Sequence, residues 1–317
     1  EGLKASRRAR PIADKESQRW LDGAEWAART CAGARLITVI ADRESDIFEA
    51  FALRPRGVEL LVRAAHDRSL GDGGRLFARA DDLPVAGRAQ LDLPAKPGRK
   101  ARQVTVAVRF TELELACPKN GMRQGLPKTV AMTLVDVREA DPAVGEAAVH
   151  WRLLTTHAVT DPLQAFAIAD LYRRRWLIEQ LFRTLKTQGF DIEGLRIAED
   201  LPHRNLVMAA LIAAVSIQQL VHARDGAPGP LRPMTDAFEA DDQPLLEAFC
   251  VKLEGKTDRQ KNPHPPRSLA YGAWVCARLG GWTGYYGKPG PIVMLQGWLQ
   301  FQAAKQGVTV LKAYHDV

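Results

Sequence analysis

The segment that most constrains this chain is 171–196, LYRRRWLIEQLFRTLKTQGFDIEGLR, which has the periodicity of an amphipathic helix. Four polar residues follow one another in it at steps of three, four and seven: Tyr172, Arg175, Glu179 and Lys186. One α-helix would place residues at these steps on a single face. The opposite face would be apolar, with Phe166, Leu171, Ile178, Leu181, Phe182 and Leu185. A carboxylate among a phenol, a guanidinium and an ammonium suits a divalent metal ion beside a polyanion.

The ends of this helix are predicted from the residues at its two termini. Asp161 is a good N-cap, and Pro162 suits the first helical position, where no N–H donor is needed. Gly189 suits the position just beyond the last helical turn. We therefore predict one continuous, unusually long helix from Pro162 to Gly189.

Length and charge leave several classes of protein open. The 317 residues suffice for two domains, or for one domain with an insertion. The contents of 26% charged and 46% hydrophobic residues are those of an ordinary globular protein. A net charge of +7 fits a polyanionic partner, although many basic proteins bind none.

Cysteine spacing and hydropathy bear on the compartment. The cysteines are far apart and form no C-x-x-C pair: Cys31, Cys117, Cys250 and Cys276. Neither a zinc site nor a disulfide framework is predicted, and a reducing cytoplasm is the simplest location. The segment 206–221 is apolar nearly all round and predicts a buried core helix. It is too short and too interrupted by Gln to predict a membrane span, so no membrane association is expected.

The first third of the chain predicts alternating helices and strands, in this order: helix Asp14–Arg29, strand Arg35–Ala41, helix Asp46–Leu53 and strand Gly57–Ala64. The connection between the two strands is short enough for parallel neighbours. Asp42 follows the first strand, where α/β folds place their sites. The alternative is that Asp42 only N-caps the next helix.

Residues 63–149 have a different pattern, with frequent Gly and Pro and short alternating runs at 90–93, 103–110, 112–116 and 129–136. They predict a β-rich insertion. Its basic turn at 94–102 is either a solvated loop tip or a phosphate contact. A further strand is predicted at Val149–Thr155. Helical segments follow at 235–253, at 267–279 and, as a final pair, near 291–306.

The spacing Tyr-x2-Arg-x3-Glu-x6-Lys resembles the signature of a group of bacterial insertion-sequence transposases, the cut-and-paste DDE enzymes with a ribonuclease H-like core. Further stretches are similar to this family in its own order: DKESxxWL at 14–21, DRESDI at 42–47, VR at 62–63, HWRLLT at 150–155 and ARLGG at 277–281. The resemblance covers essentially the whole chain.

The resemblance implies a role for each matching residue. Asp42 and Glu179 match the second and third acidic residues of the family, which hold a divalent metal ion, normally Mg²⁺ with Mn²⁺ able to substitute. The implied chemistry is phosphodiester hydrolysis and then transesterification at the transposon ends, through a hairpin intermediate. Three residues match phosphate contacts near the cleaved end: Tyr172, Arg175 and Lys186. Trp151 matches an aromatic residue that stacks on a flipped base, and Arg63 a basic residue that contacts DNA.

Each of these residues also has an interpretation without DNA. Trp151 beside apolar neighbours is more often a core residue of the insertion. Arg175 and Lys186 fit an ordinary solvated helix face. Glu179 with Arg175 or Arg183 fits a surface ion pair, which stabilises a protein by well under ~1 kcal/mol.

The resemblance further implies an α/β fold: a ribonuclease H-like core, partial because its first strands are missing, from residues 1–62 and 150–226. A β-rich insertion domain at 63–149 and a helical dimerisation region at 227–317 complete it. The implied partners are double-stranded DNA, as transposon ends and target, and a second copy of the chain in a synaptic complex. The implied location is the bacterial cytoplasm, at the nucleoid.

The sequence departs from the family pattern at the first acidic residue. Only 41 residues precede Asp42. The stretch 14–21 matches a family segment between the first two acids, so Asp14 and Asp22 are poor substitutes. We expect that the chain begins after the third strand of the core and that it does not cut DNA alone.

Two other functions remain open at this stage. The chain is alternatively a truncated, inactive remnant that binds DNA, or that dimerises with a full-length transposase and inhibits it. A ribonuclease H-like nuclease unrelated to transposition is the third hypothesis. It leaves the spacing of the Tyr, Arg and Lys residues unexplained.

Overall fold

The structure is a computed structural model that describes residues 10–93, 101–119, 125–142, 145–186, 189–226 and 230–315. Internal packing divides the chain into two compact units, Glu1–Arg175 and Trp176–Val317. Most of the predicted basic turn at 94–102 lies outside the described residues, so its contact with phosphate stays a prediction. The domain boundaries inferred from the resemblance also stay predictions.

The first unit is built on one six-stranded sheet in the order β1-β2-β6-β5-β4-β3. Its strands are β1 (Ile37–Ala41), β2 (Val58–Arg63), β3 (Gly87–Leu93), β4 (Arg102–Ala116), β5 (Thr129–Glu139) and β6 (His150–Thr155). β1 and β2 pair in parallel, as predicted, and the other pairs are antiparallel. The helices of this unit are α1 (Gln18–Thr30), α2 (Phe48–Ala52), α3 (Leu76–Asp82) and α4 (Pro162–Arg173).

The sheet buries both faces because alternate residues of a strand point to opposite sides. In β2, Leu60 and Val62 join one apolar core, while Leu61 joins the other. The first core receives apolar residues from α2 and α3: Phe48, Phe51, Leu76 and Ala80. The second core receives residues from α4: Ala165, Ile168, Ala169 and Tyr172. The unit is thus a mixed α/β layer with the sheet at its centre.

Two of the predicted strands in residues 63–149 are one strand. The runs at 103–110 and 112–116 both belong to β4, because the residue between them, Thr111, pairs with Leu134 of β5 without interruption. No Gly or Pro lies in β4 to break the ladder. The strands of this region join β2 through the β2–β6 pairing, so they continue one sheet.

The predicted continuous helix from Pro162 to Gly189 is wrong. Its start is confirmed, since the Asp161 side chain accepts a hydrogen bond from Gln164 N at 2.8 Å. α4 ends at Arg173, and a separate helix, α5, spans Trp176–Leu185 in the second unit. The N–H groups of Arg174 and Arg175 bond to carbonyls three residues back rather than four. This tighter turn ends the α-helical ladder, so Tyr172 and Glu179 belong to two different helices and the four polar residues do not lie on one helix.

The second unit is helical in its described residues. α5 is followed by α6 (Asp200–Ala223), α7 (Gln243–Leu253), α8 (Leu269–Leu279) and α9 (Pro291–His315). Its largest core is formed by residues of α6 to α9, including Ile217, Leu220, Leu246, Leu269, Trp274, Met294 and Phe301. α8 and α9 approach closely at glycines, since a Cβ on Gly297 would lie 1.7 Å from the carbonyl oxygen of Cys276. The predicted final pair of helices near 291–306 is the single helix α9.

The interpretation of 206–221 as a helix buried all round is wrong. α6 buries one side, with Ala210, Ala214, Ile217 and Leu220, because neighbouring helices pack only there. The other side exposes Leu206, Met208 and Ile212 by 43, 56 and 62%. Within the described residues, α6 is the one helix long and apolar enough to cross a membrane by length and composition alone. Core helices of soluble proteins pass the same criterion.

Candidate functional site

Asp42 lies where β1 ends and a 3₁₀ turn, Arg43–Ser45, begins. One of its carboxylate oxygens, Oδ1, accepts a hydrogen bond from Glu44 N at 3.0 Å. Asp42 therefore caps this turn. It does not cap the helix after Asp46, which was the alternative interpretation. The other oxygen, Oδ2, accepts no hydrogen bond from the described residues, which leaves it available to a cation.

Asp46 is the structural carboxylate of the same motif, a role that the sequence did not predict. Its side chain is fully buried and accepts hydrogen bonds from Ala65 N at 2.7 Å and His66 N at 3.0 Å. It also pairs with Arg68 Nε at 2.7 Å. These contacts tie the turn after β1 to the segment after β2 and so hold Asp42 in place. The partners lie 19–22 residues away, so local spacing carries no signal for them.

Four of the predicted DNA-binding residues lie together in the first unit. The rings of Trp151 in β6 and Tyr172 in α4 have centroids 5.6 Å apart and planes tilted by 58°. The guanidinium of Arg175 lies 5.9 Å from the centroid of the Tyr172 ring. Arg63, the last residue of β2, donates to the carbonyl oxygen of His150 at 2.9 Å. Separate parts of the sequence thus supply one aromatic and cationic cluster.

The electrostatics of this cluster favour an anion. Burial lowers the pKa of Arg63, and the side chain of Tyr172 offsets part of this decrease. The guanidiniums of Arg43 and Arg175 lower the pKa of Arg63 further, because like charges repel. Arg63 remains a cation, and a nearby negative charge would relieve this repulsion.

The burial of Tyr172 differs from the prediction, whereas the burial of Trp151 fits one of its two interpretations. Tyr172 is only 6% exposed and belongs to a core, although it was predicted to lie on the polar face of a helix. Its helix turns that position towards the sheet. Trp151 is half-buried and packs against the same core, as its core interpretation requires. Stacking of Trp151 on a flipped base stays a prediction.

Glu179 and Lys186 belong to the second unit. Glu179 is half-buried on α5, and Lys186 follows the last residue of that helix. Lys186 Nζ forms an ion pair with Glu193 Oε1 at 2.9 Å, with both side chains about half exposed. An exposed pair of this kind stabilises a protein by ~1 kcal/mol or less and opens readily to a phosphate.

Carboxylate oxygens are the donors that hard cations such as Mg²⁺ and Mn²⁺ prefer, so Asp42 and Glu179 fit a divalent metal ion by their chemistry. Oδ2 of Asp42 supports this fit because it accepts no hydrogen bond from the described residues. Within the described ranges, the structure contains no group of three or more His, Cys, Asp or Glu side chains that could hold a metal ion.

A cavity of about 380 Å³ opens beside this cluster, and three of its eight lining residues are arginines. We call it the arginine cavity and define it by Arg43, Arg63, His150 and Arg152, with Phe77 at one wall. Sequence reasoning missed Arg43, His150 and Arg152 as candidates. They lie in the motifs DRESDI and HWRLLT, next to Asp42 and Trp151, which is the signal that would have found them.

A mixed α/β unit that combines a carboxylate at a strand end with a cationic cluster suits phosphoryl transfer on a polyanion. Comparison with known families gives the class: the model of the transposase DDE domain matches residues 16–216, more than half of the chain. This chain belongs to the transposase DDE domain family. The family acts in DNA transposition, and its domains use divalent metal ions. The match includes Asp42, Glu179 and the whole cationic cluster.

Proposed function

We propose that this chain is the DDE domain of a transposase that cleaves DNA and transfers strands at the ends of a bacterial insertion sequence, in the group with the Tyr-x2-Arg-x3-Glu-x6-Lys signature. We do not expect the chain to cut DNA alone, because it matches no first acidic residue of the family. The observation that carries the proposal is the clustering of Arg63, Tyr172 and Arg175, which come from two separate parts of the sequence. Membership in the transposase DDE domain family and the net charge of +7 support it.

Asp42 and Glu179 are the proposed metal-binding carboxylates, and Mg²⁺ is the proposed ion. These two carboxylates would hold the ion, which when bound would supply activation of the water or 3′-hydroxyl nucleophile and stabilisation of the leaving oxygen. The protein contributes the position of Asp42 at the end of β1, which the Asp46 contacts fix. In this proposal the sequence of reactions is hydrolysis, hairpin formation and strand transfer.

The remaining residues bind the DNA end. Tyr172, Arg175 and Lys186 contact phosphates near the cleaved bond, and Arg63 contacts the DNA beside them. Trp151, which is half-buried, stacks on a base flipped out of the duplex. Guanidinium and ammonium groups suit these roles because they form charge-assisted hydrogen bonds with phosphate oxygens.

The proposed architecture is a ribonuclease H-like core from residues 1–62 and 150–226, a β-rich insertion at 63–149 and a dimerisation region at 227–317. Two copies of the chain would hold the two transposon ends in a synaptic complex and then engage target DNA. This reaction would occur on the bacterial nucleoid.

Cleavage by the complete gene product tests the proposal. The substrate is a supercoiled plasmid that carries the DNA from both sides of the gene, incubated with Mg²⁺. We expect excision of the segment that lies between the two flanking sequences. Its hairpin ends should keep the two strands linked on a denaturing gel, and EDTA should abolish the reaction. A plasmid with scrambled flanking DNA is the control. Equal cleavage of both plasmids, or of neither, contradicts the proposal.

A further inference from the structure

We propose that the arginine cavity binds a backbone phosphate of the DNA, next to the candidate metal ligand Asp42. This inference rests on the proposed function, since it names a part of the site that would hold the DNA. Its new content is the role of Arg43, His150 and Arg152, for which neither the sequence nor the resemblance predicts a function.

Three guanidinium groups give the cavity wall its charge. Neither Arg43 nor Arg63 forms an ion pair within the described parts of the chain. The two guanidiniums repel each other, and Arg63 is also partly removed from water. No acidic side chain is among the described residues that line the cavity. A second guanidinium beside the partly desolvated Arg63 is costly, so an anion between the two would stabilise this arrangement.

A carboxylate behind the cavity wall holds the other two polar side chains of the cavity, His150 and Arg152. Asp136 of β5 lies directly opposite Arg152 of β6 in the sheet register, and its side chain is fully buried. Asp136 Oδ1 lies 3.0 Å from His150 Nε2 and 3.8 Å from Arg152 Nε. The carboxylate therefore restrains both side chains while remaining outside the cavity wall. Asp136 is a positioning residue in this account.

The guanidinium of Arg152 has two further contacts that fix its plane. Its Nη2 donates to Asp81 Oδ1 at 2.9 Å, and its Cζ lies 4.3 Å from the centroid of the Phe77 ring. A guanidinium held by a carboxylate and an aromatic face loses little further entropy when it binds phosphate. The cavity is thus preorganised for an anion with several acceptor oxygens.

The cavity lies beside the candidate metal ligand Asp42. Arg43 is the residue after Asp42, and Arg63 belongs both to the cavity and to the cluster with Tyr172. A phosphate in the cavity would therefore lie on a DNA strand that passes the candidate metal ligand. These contacts reach the backbone and not the bases, so they add affinity without sequence preference.

Fluorescence anisotropy with the complete gene product tests this inference. Labelled duplexes with the flanking DNA and with an unrelated sequence are titrated between about 50 and 200 mM salt, the range over which phosphate contacts lose most affinity. The variants are Arg43→Gln, which changes an exposed side chain, and Arg152→Gln. Arg29→Gln is the matched control, because Arg29 is an exposed arginine on α1 outside the cavity. Unchanged melting temperatures establish that the variants fold.

We expect each cavity variant to weaken binding of both duplexes and to reduce the slope of log K against log salt by about 0.9 for each lost phosphate contact. Arg29→Gln should keep the slope. If the cavity variants fold and keep the slope while the unsubstituted protein binds DNA, the inference is overturned and the proposed function stands. If the unsubstituted protein binds neither duplex, both are overturned.

Discussion

The rings of Trp151 and Tyr172 form a tilted pair with centroids 5.6 Å apart, and this pair joins β6 to α4. The residue predicted to stack on a base and a residue predicted to contact phosphate are thus packed against each other. Tyr172 is buried, and the guanidinium of Arg175 lies 5.9 Å from its ring. A change in either aromatic residue therefore affects both the core and the proposed DNA contact.

The first prediction concerns the packing of Trp151 against the core. Trp151→Ala should lower the free energy of unfolding by about 2 kcal/mol, less than the ~3–5 kcal/mol of a fully buried ring, because Trp151 is half-buried. Trp151→Phe should cost less than ~1.5 kcal/mol, since it keeps an aromatic ring at the contact. Urea denaturation measures both values. An unchanged midpoint for Trp151→Ala would mean that the ring contributes nothing to the core.

The second prediction distinguishes the two aspartates of the motif at 42–47. Asp46→Ala leaves Arg68 and two backbone N–H groups without their acceptor, so it should destabilise the protein by ~3–5 kcal/mol. Asp42→Ala removes one capping bond and should cost ~1 kcal/mol. Thermal and urea unfolding compare the two variants. Equal losses of stability in the two variants would contradict the assignment of Asp46 as the structural carboxylate of the motif.

The third prediction concerns the contact between α8 and α9. A Cβ at Gly297 would lie 1.7 Å from the Cys276 carbonyl oxygen, so Gly297→Ala must push the helices apart and should cost ~1–3 kcal/mol. Gly307→Ala on the same helix is the control, since nothing lies within 4 Å of its Cβ position. Alanine there should stabilise the protein by ~0.5–1 kcal/mol. Calorimetry that ranks the two variants in the reverse order would contradict the close packing.

The fourth prediction concerns the dependence of stability on pH. Burial lowers the pKa of His157 below its usual value of about 6.5, and the carboxylate of Glu59 offsets part of this decrease. The unfolded chain then binds more protons than the folded chain as the pH falls below about 7, so His157 destabilises the fold under acid conditions. The stability that depends on neutral His157 is fully present above the pKa of this residue in the unfolded chain. It is lost as the pH falls through the pKa of His157 in the folded protein.

His157→Gln tests this effect, because Gln retains a polar group for the hydrogen bond with Thr38 Oγ1. The variant should lose less stability than the unsubstituted protein between about pH 7 and pH 5. Burial also lowers the pKa of His222. The contribution of His222 to the pH dependence must therefore be measured with a separate variant at that position. An NMR titration that gives His157 a pKa above its usual value would contradict the prediction.

Local rules predicted much of the first unit correctly. The strand that ends before Asp42, its parallel neighbour and the N-cap Asp161 follow from hydrophobic runs and capping chemistry that act within a few residues. The break between α4 and α5 was missed because it depends on a switch from four-residue to three-residue hydrogen bonds at Arg174 and Arg175. The spacing of polar and apolar residues in the sequence does not indicate such a switch.

Longer-range contacts explain the other differences. The exposed side of α6 depends on which helices pack against it, and hydropathy does not contain that information. Asp46 has its partners on a distant segment, and Asp136 has cationic partners on β4 and β6. The metal-binding role of Asp42 and Glu179 remains a prediction from the resemblance.

The central claim is that Asp42 and Glu179 act together on one metal-dependent reaction, and a double-mutant cycle tests it most directly. Rates of Mg²⁺-dependent excision are measured for the complete gene product, Asp42→Asn, Glu179→Gln and the double variant, with Glu44→Gln as the control. We predict that each single variant loses at least ~100-fold, since even an outer-sphere partner of a metal ligand contributes ~10–100-fold. The double variant should be no slower than the singles, because the residues act as a unit. Full activity of Asp42→Asn, or losses that multiply in the double variant, would contradict the account.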